Sequence, residues 1–153
     1  MARAGRLRAL EERLRRTIPL TGAMAVQVTE WDDEGLRLRA PLAPNSNHHG
    51  TLFGGAASAL AILTGWSLVH LRLGELGLDP DLVIQRSAME FEVPARGEVE
   101  AMAIAPDPSR WDRFLRALDR WGRARIEIRV ELWAEGSRIA TLRGAYVALT
   151  PPV

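Results

Sequence analysis

A chain of 153 residues, 47% of them hydrophobic, is long enough for one domain with a real core, and a formal net charge of +1 gives no basic surface for nucleic acid. The absence of cysteine excludes disulfides, thiolate nucleophiles and cysteine-based metal sites. All 20 basic side chains are arginine, so Schiff-base chemistry on a lysine is excluded as well.

Leu7, Leu10 and Leu14 recur at helical spacing, which predicts an amphipathic helix over residues 2–16. This segment is rich in arginine. Glu11 and Glu12, and the lack of an apolar stretch, separate it from transit and secretory leaders. Met24, Val26 and Val28 then alternate with Ala25, Gln27 and Thr29. Beyond the acidic turn Asp32–Gly35, Leu36, Leu38, Ala40 and Leu42 alternate with Arg37, Arg39 and Pro41, completing a hairpin.

A polar loop, Asn45–Leu52, leads into a helix expected over about residues 53–73. Residues Phe53–Leu71 carry no formal charge and are long enough to cross a bilayer. Gly54, Gly55, Ser58, Thr64, Gly65, Ser67 and His70 lower their hydrophobicity, however. A helix apolar on nearly all sides is also what a core helix looks like. The expectation is a buried central helix and no membrane contact.

Leu82–Val93 reads as a third strand, stopped by Pro94 and Gly97, and Glu98–Ala105 as a fourth. Simple alternation puts Gln85, Ser87 and Met89 on one face of the third strand, with Arg86, Ala88 and Glu90 on the other. Glu90 is read as part of a solvated face. Ser109 is the expected cap of a short helix whose apolar face holds Trp111, Phe114, Leu115, Leu118 and Trp121, and which ends at Gly122. Ala124, Ile126, Ile128, Val130 and Leu132 alternate with Arg125, Glu127, Arg129 and Glu131, a strand with one wet face. Glu135-Gly136 turns the chain into a sixth strand, Arg138–Leu149, ended by Pro151-Pro152. The five tryptophans are assigned to core and interface.

The loop and helix start form the candidate site. Gly54 and Gly55 leave the first helical N–H groups uncovered, and these unpaired donors, with the positive end of the helix dipole, suit a carbonyl oxygen or an oxyanion. Asn45, Asn47, His48, His49 and Thr51 lie just upstream, placed to orient a substrate or a water. Gly50 permits a tight turn. Ser58, one helical turn on, either faces the pocket or bonds its own backbone. His48 and His49 are the imidazoles near the loop; His48 is the candidate general base, His49 a candidate contact to substrate. Adjacent histidines diverge and no third ligand is evident, so no metal is expected.

The element order is helix, two strands, long buried helix, two strands, short helix, two strands. It resembles the hotdog fold over essentially the whole chain: an α+β domain, residues 1–153, with a six-stranded antiparallel sheet wrapped around a long central helix. Many hotdog thioesterases carry Asn, two residues, Gly, two residues, then His-Gly-Gly at the start of that helix. Asn47, Gly50, Gly54 and Gly55 fall on this spacing. The Pro44-Asn45-Ser46-Asn47-His48 stretch and the Phe53-Gly54-Gly55 run are most similar to the thioesterase-like domain that in some bacteria follows an acetyltransferase domain.

This resemblance implies that Asn47 holds the water or the thioester carbonyl and that the N–H of Gly54 contacts the oxyanion. Gly50, Thr51, Phe53, Gly55 and Ser58, with Asn45 and His49, would line the substrate site. Ser87 is the candidate for the catalytic hydroxyl that some hotdog thioesterases carry on the third strand. Two departures stand out. Phe53 replaces the motif histidine and is expected to pack at the helix entry. Ile62 stands where better-known members place an Asp or Glu, and Thr64 is the nearest helix hydroxyl beyond it.

The implied function is a cytoplasmic thioesterase for acyl chains on coenzyme A or an acyl carrier protein, needing no cofactor and acting as a homodimer or dimer of dimers. The missing helix acid keeps open a non-catalytic acyl-thioester binding domain. A dehydratase or hydratase is a further reading, disfavoured by a helix without an acid through Leu73.

Overall fold

The computed structural model describes residues 2–150. Helix α1 (Arg3–Thr17) buries Leu10 and Leu14 and is followed by a short helix α2 (Pro19–Ala23). Strands β1 (Gln27–Trp31) and β2 (Gly35–Ala40) form the expected hairpin. Helix α3 (Gly54–Glu75) leads to β3 (Asp81–Phe91) and β4 (Val99–Ile104). Helix α4 (Pro108–Trp121) precedes β5 (Arg123–Ala134) and β6 (Ser137–Leu149). Pro151 and Pro152, read above as the stop of the last strand, lie outside the described residues.

All six strands join one antiparallel sheet in the order β1-β2-β4-β5-β6-β3. The sheet curls around α3, which touches β2, β3, β4, β5 and β6. Although α3 has the length and composition of a membrane span, most of it is buried, and it is the core helix of this domain. Along β5 the inward residues Ile126, Ile128, Val130 and Leu132 are buried and the outward Arg125, Glu127 and Arg129 exposed, so alternation alone sets which face is wet. α3 comes close to the sheet at Tyr146. Its hydroxyl donates to the carbonyl of Ile62 at 2.7 Å. Both neighbours at this crossing are glycine, since a Cβ at Gly65 would lie 2.8 Å from the Tyr146 Cζ and one at Gly144 2.9 Å from its Cε2.

Three local readings need correction. The first hairpin strand does not begin at Met24: α2 intervenes, Ala25 sits at φ 56, and the N–H of Val26 turns back to Thr21. The cap of α4 is Asp107, not Ser109; its carboxylate accepts from the Ser109 N–H and hydroxyl, both at 2.8 Å. On β3 an irregularity between Ile84 and Arg86 inserts Gln85, so that Ile84 pairs with Tyr146 but Arg86 with Ala145. Ser87, Met89 and Phe91 consequently share the helix-facing side with Leu82 and Ile84, where simple alternation separates them.

Candidate active site

The loop before α3 is built by its own polar side chains. Asn45 is only 3% exposed. Its Nδ2 donates to the carbonyls of Met24 at 2.9 Å and Pro41 at 2.8 Å, and its own carbonyl accepts from Phe53 N–H at 2.8 Å. Asn45 therefore ties the loop to the end of α2 and to the residue after β2, and does not line the cleft described next. Asn47 closes the following turn. Its Oδ1 accepts from the N–H groups of His49 at 2.9 Å and Thr51 at 3.1 Å, while Nδ2 donates to Thr51 Oγ1 at 2.9 Å. One Nδ2 hydrogen is left for another acceptor. Gly50 occupies the left-handed region at φ 75, which the turn requires.

Phe53 is the N-cap residue of α3 and its side chain caps nothing, so the first-turn N–H groups of Gly54, Gly55 and Ala56 have no intrahelical acceptor. The Phe53 ring lies back over Gly55, where a Cβ would come within 2.8 Å of its Cζ. It is 55% exposed, so it lies over the helix entry without being buried in the core.

A cleft of about 380 Å³ opens at this helix start, lined by Asn47, Thr51, Leu52, Gly54 and Ala57. Its opposite wall comes from the end of β3 and the segment after it, Phe91–Ala95, and from Ile139 and Ala140 of β6. Glu92 is the one acidic residue in this lining. Arg138 Nε donates to its two oxygens at 3.0 and 3.3 Å, and Arg138 also lies 3.4 Å from Glu131. Hydrogen bonding to Glu92 raises the Arg138 guanidinium above its already high ordinary value.

Of the residues expected at the site, Asn47, Thr51 and Gly54 meet in the cleft. His48 and His49 are exposed, their rings 3.8 Å apart, and neither lines it. Gly50 forms the outer turn. Ser58 is half-buried on the same side of α3, and Ser87 sits on β3 between Ile84 and Phe91, facing the helix; neither belongs to the lining. Thr64 is spent on the carbonyl of Leu60 at 2.6 Å. Glu92 and Phe91 went unnoticed in the sequence because they are distant from the loop along the chain, and only strand β3 lying against α3 brings them to it. Among the described residues no three His, Asp or Glu side chains gather as a metal site.

Similar proteins bear on this arrangement. Residues 7–150 match the family model described as "Putative thioesterase (yiiD_Cterm)". A structure of a "putative thioesterase" from Shewanella oneidensis is 31% identical and superimposes with a TM-score of 0.86, covering 95% of this chain and 97% of its own. A protein of unknown function from Chlorobaculum tepidum is 25% identical with a TM-score of 0.89, covering 94% of each chain. A thioesterase from Haemophilus influenzae, 15% identical with a TM-score of 0.70 over 95% of this chain and 92% of its own, shares the fold. With its six-stranded sheet wrapped around α3 and its match over nearly the whole length, the chain belongs to the yiiD_Cterm thioesterase family of hotdog-fold proteins.

Proposed function

We propose that this protein hydrolyses acyl thioesters carried on coenzyme A or an acyl carrier protein. One observation carries the reading: Gly54, whose N–H has no intrahelical acceptor, lines one cleft together with Asn47 and Glu92. The thioester oxygen sits at the Gly54 N–H, where a single such donor is worth roughly 3–4 kcal/mol to an acyl-transfer transition state. The free Nδ2 hydrogen of Asn47 holds the carbonyl or the attacking water. Water adds to the carbonyl carbon and passes its proton to Glu92. Collapse of the tetrahedral intermediate expels the thiolate, which takes that proton back. Arg138 orients Glu92 between turnovers through its two hydrogen bonds. The steps need no cofactor. A cytoplasmic setting is part of this proposal.

The test is thiol release from a panel of acyl-CoA and acyl-carrier substrates. Release that depends on Glu92 and Asn47 is expected. Tight binding without any thiol release would instead establish a non-catalytic acyl-thioester binding domain, the reading that Ile62 favours.

A homodimer, alone or paired again, is part of this proposal. Strand β3 is an eleven-residue sheet edge with Val83 and Phe91 exposed, and long open edges invite pairing. Antiparallel pairing of two β3 strands about Ala88 sets Arg86 opposite Glu90 of the partner subunit, twice by symmetry. Light scattering should give a dimer or tetramer. Arg86→Glu should weaken it and Arg86→Glu with Glu90→Arg should restore it; a folded wild-type monomer at working concentration refutes the assembly.

A further inference from the structure

A pocket of about 200 Å³ lies between α1 and the C-terminal half of α3. Arg6, Ala9 and Arg13 line it from α1, and His70, Leu71 and Gly74 from α3. The helices run antiparallel here, with Arg13 beside His70 and Arg6 beside Gly74. Arg6, Ala9 and Arg13 recur three and four residues apart and share one face of α1, as His70 and Gly74 do on α3. Ala9 and Gly74 are small and leave room between the helices, and the two arginines stand on either side of Ala9.

The charge in this pocket is unbalanced. Elsewhere on α1, Arg3 pairs with Asp33 and Arg15 with Glu11, both at 2.9 Å. Among the described residues neither Arg6 nor Arg13 pairs with a carboxylate. Arg13 instead turns Nη1 toward Nε2 of His70 at 3.5 Å. A guanidinium only donates, so the imidazole that accepts from it is neutral. Burial and then Arg13 hold the pKa of His70 below 6.5. Its ring is fixed by stacking on Trp66, 4.7 Å between centroids and 10° between planes. No acidic residue lines the pocket. Glu75, next to Gly74, is engaged by Arg3 at 3.6 Å, and Asp79, in the loop after α3, is exposed and only partly offsets Arg13 and burial.

We infer that this pocket binds a tetrahedral dianion, a sulfate or a phosphate group, between the guanidinium groups of Arg6 and Arg13 with His70 as the third donor. Forked guanidinium donors match the oxygens of such an anion. At about 30 Å³ per water, the space holds one such group and a few waters. The last turn of α3 carries about half a negative charge, which two guanidinium charges outweigh. On binding, His70 leaves Arg13, takes up a proton and donates through Nε2 to the anion. Affinity therefore rises as pH falls from the pKa of His70 in the complex, raised by the anion, to its lower value in the free protein, and is level outside that window. The pocket shares no lining residue with the cleft at the start of α3, and sixteen residues of helix separate Gly54 from His70 by about 24 Å. The site stands apart from the thioesterase reading and does not depend on it.

The test follows the backbone amide NMR signals of Ala9 and Gly74 while sodium sulfate replaces sodium chloride at constant ionic strength. Sulfate stays a dianion throughout, so any pH dependence belongs to the protein. The shifts should saturate with a millimolar dissociation constant or a tighter one. Affinity at about pH 5.5 should exceed that at about pH 7.5 roughly fivefold, within the tenfold per pH unit that one proton allows. Arg6→Gln and Arg13→Gln keep much of each stem and lose the charge, and each should weaken binding at least tenfold. His70→Gln should bind with no pH dependence. Two further probes at about pH 7.5 separate the sources of the anion. Adenosine 3′,5′-bisphosphate binding at least tenfold tighter than orthophosphate assigns the site to a phosphate ester, and equal or weaker binding assigns it to the free ion. Shifts that do not saturate, or affinity unchanged in both arginine variants, would overturn the site. A pH dependence that persists in His70→Gln would overturn the role of the imidazole.

Discussion

Asn47 carries two roles that a pair of substitutions separates. Its Oδ1 closes the loop by accepting from the backbone of His49 and Thr51, and its Nδ2 reaches Thr51 with one hydrogen to spare for the cleft. Asn47→Ala removes all of this. The freed N–H groups are near the surface and regain water, so each of the three lost bonds costs about 0.5–1.5 kcal/mol and the variant about 1.5–4.5 kcal/mol in all. For a domain of this size that lowers Tm by about 3–18 °C. Asn47→Asp keeps an oxygen acceptor for both N–H groups and places it near the positive end of α3, so stability should stay within about 0.5 kcal/mol of the parent. It lacks the amide donor, and its charge opposes a developing oxyanion. Turnover should therefore fall by about ten- to a thousandfold in both variants, the loss of one positioned hydrogen bond in the transition state. The assay is steady-state thiol release beside a melting curve for all three proteins. Full turnover in a folded Asn47→Asp variant would falsify a direct role and leave Asn47 as the loop's clasp alone.

Glu92→Gln should cut turnover at least tenfold, while Tm stays near the parent value because the pair with Arg138 is solvent-exposed; undiminished turnover would move the base elsewhere. Gly65→Ala drives a methyl group against Tyr146, costing about 1–3 kcal/mol for overpacking and about 1 for the bond to Ile62, against about 1 regained in helix propensity. In a Tyr146→Phe background the same substitution should cost clearly less by urea denaturation, and equal costs would contradict the contact. Burial, followed by repulsion from Arg13 and partly offset by Asp79, lowers the pKa of His70 below 6.5, so the unfolded chain takes up this proton first as pH falls. Stability should thus decline from about pH 6.5 down to the folded-state pKa, and His70→Gln should flatten that stretch of a urea-midpoint-versus-pH curve. A slope that persists in the variant assigns the effect to other groups.

The parts of the fold that could be read from the sequence are those where one local rule decides. The period-two pattern of β5, the uncharged run of α3 and the glycine after α4 each have a single structural solution. The misreadings sit where a local rule meets a tertiary one. Nothing in Met24–Val26 announces that Val26 will bond back to Thr21, and no residue in Leu82–Phe91 marks Gln85 as the inserted position that turns Ser87 and Phe91 toward the helix. The site divides in the same way. Asn47, Thr51 and Gly54 are neighbours in the chain and were legible as a motif. Glu92 reaches them only because β3, the edge of the sheet, lies against α3 with its last residues at the helix start. Asn45 and Asn47 look alike in sequence, yet one is buried under the loop and the other faces the cleft, a difference fixed by which carbonyls lie within reach.

The exchange of an acid for Ile62 can be understood from its surroundings. A carboxylate at this position would stand in an apolar cavity with Leu20, Trp66, Leu82 and Ile84, and desolvation there would push its pKa upward, leaving it protonated and unfit as a base near neutrality. The cleft at the helix start differs. It is open to water and carries the positive end of α3. Glu92, the first residue after β3, is the acidic residue on the wall of this cleft opposite α3. On this reasoning Ile62→Glu should give no turnover to a Glu92→Gln protein. Recovery of hydrolysis in that double variant would show that the helix position still commands the reacting carbonyl, and would place the chemistry on α3 after all.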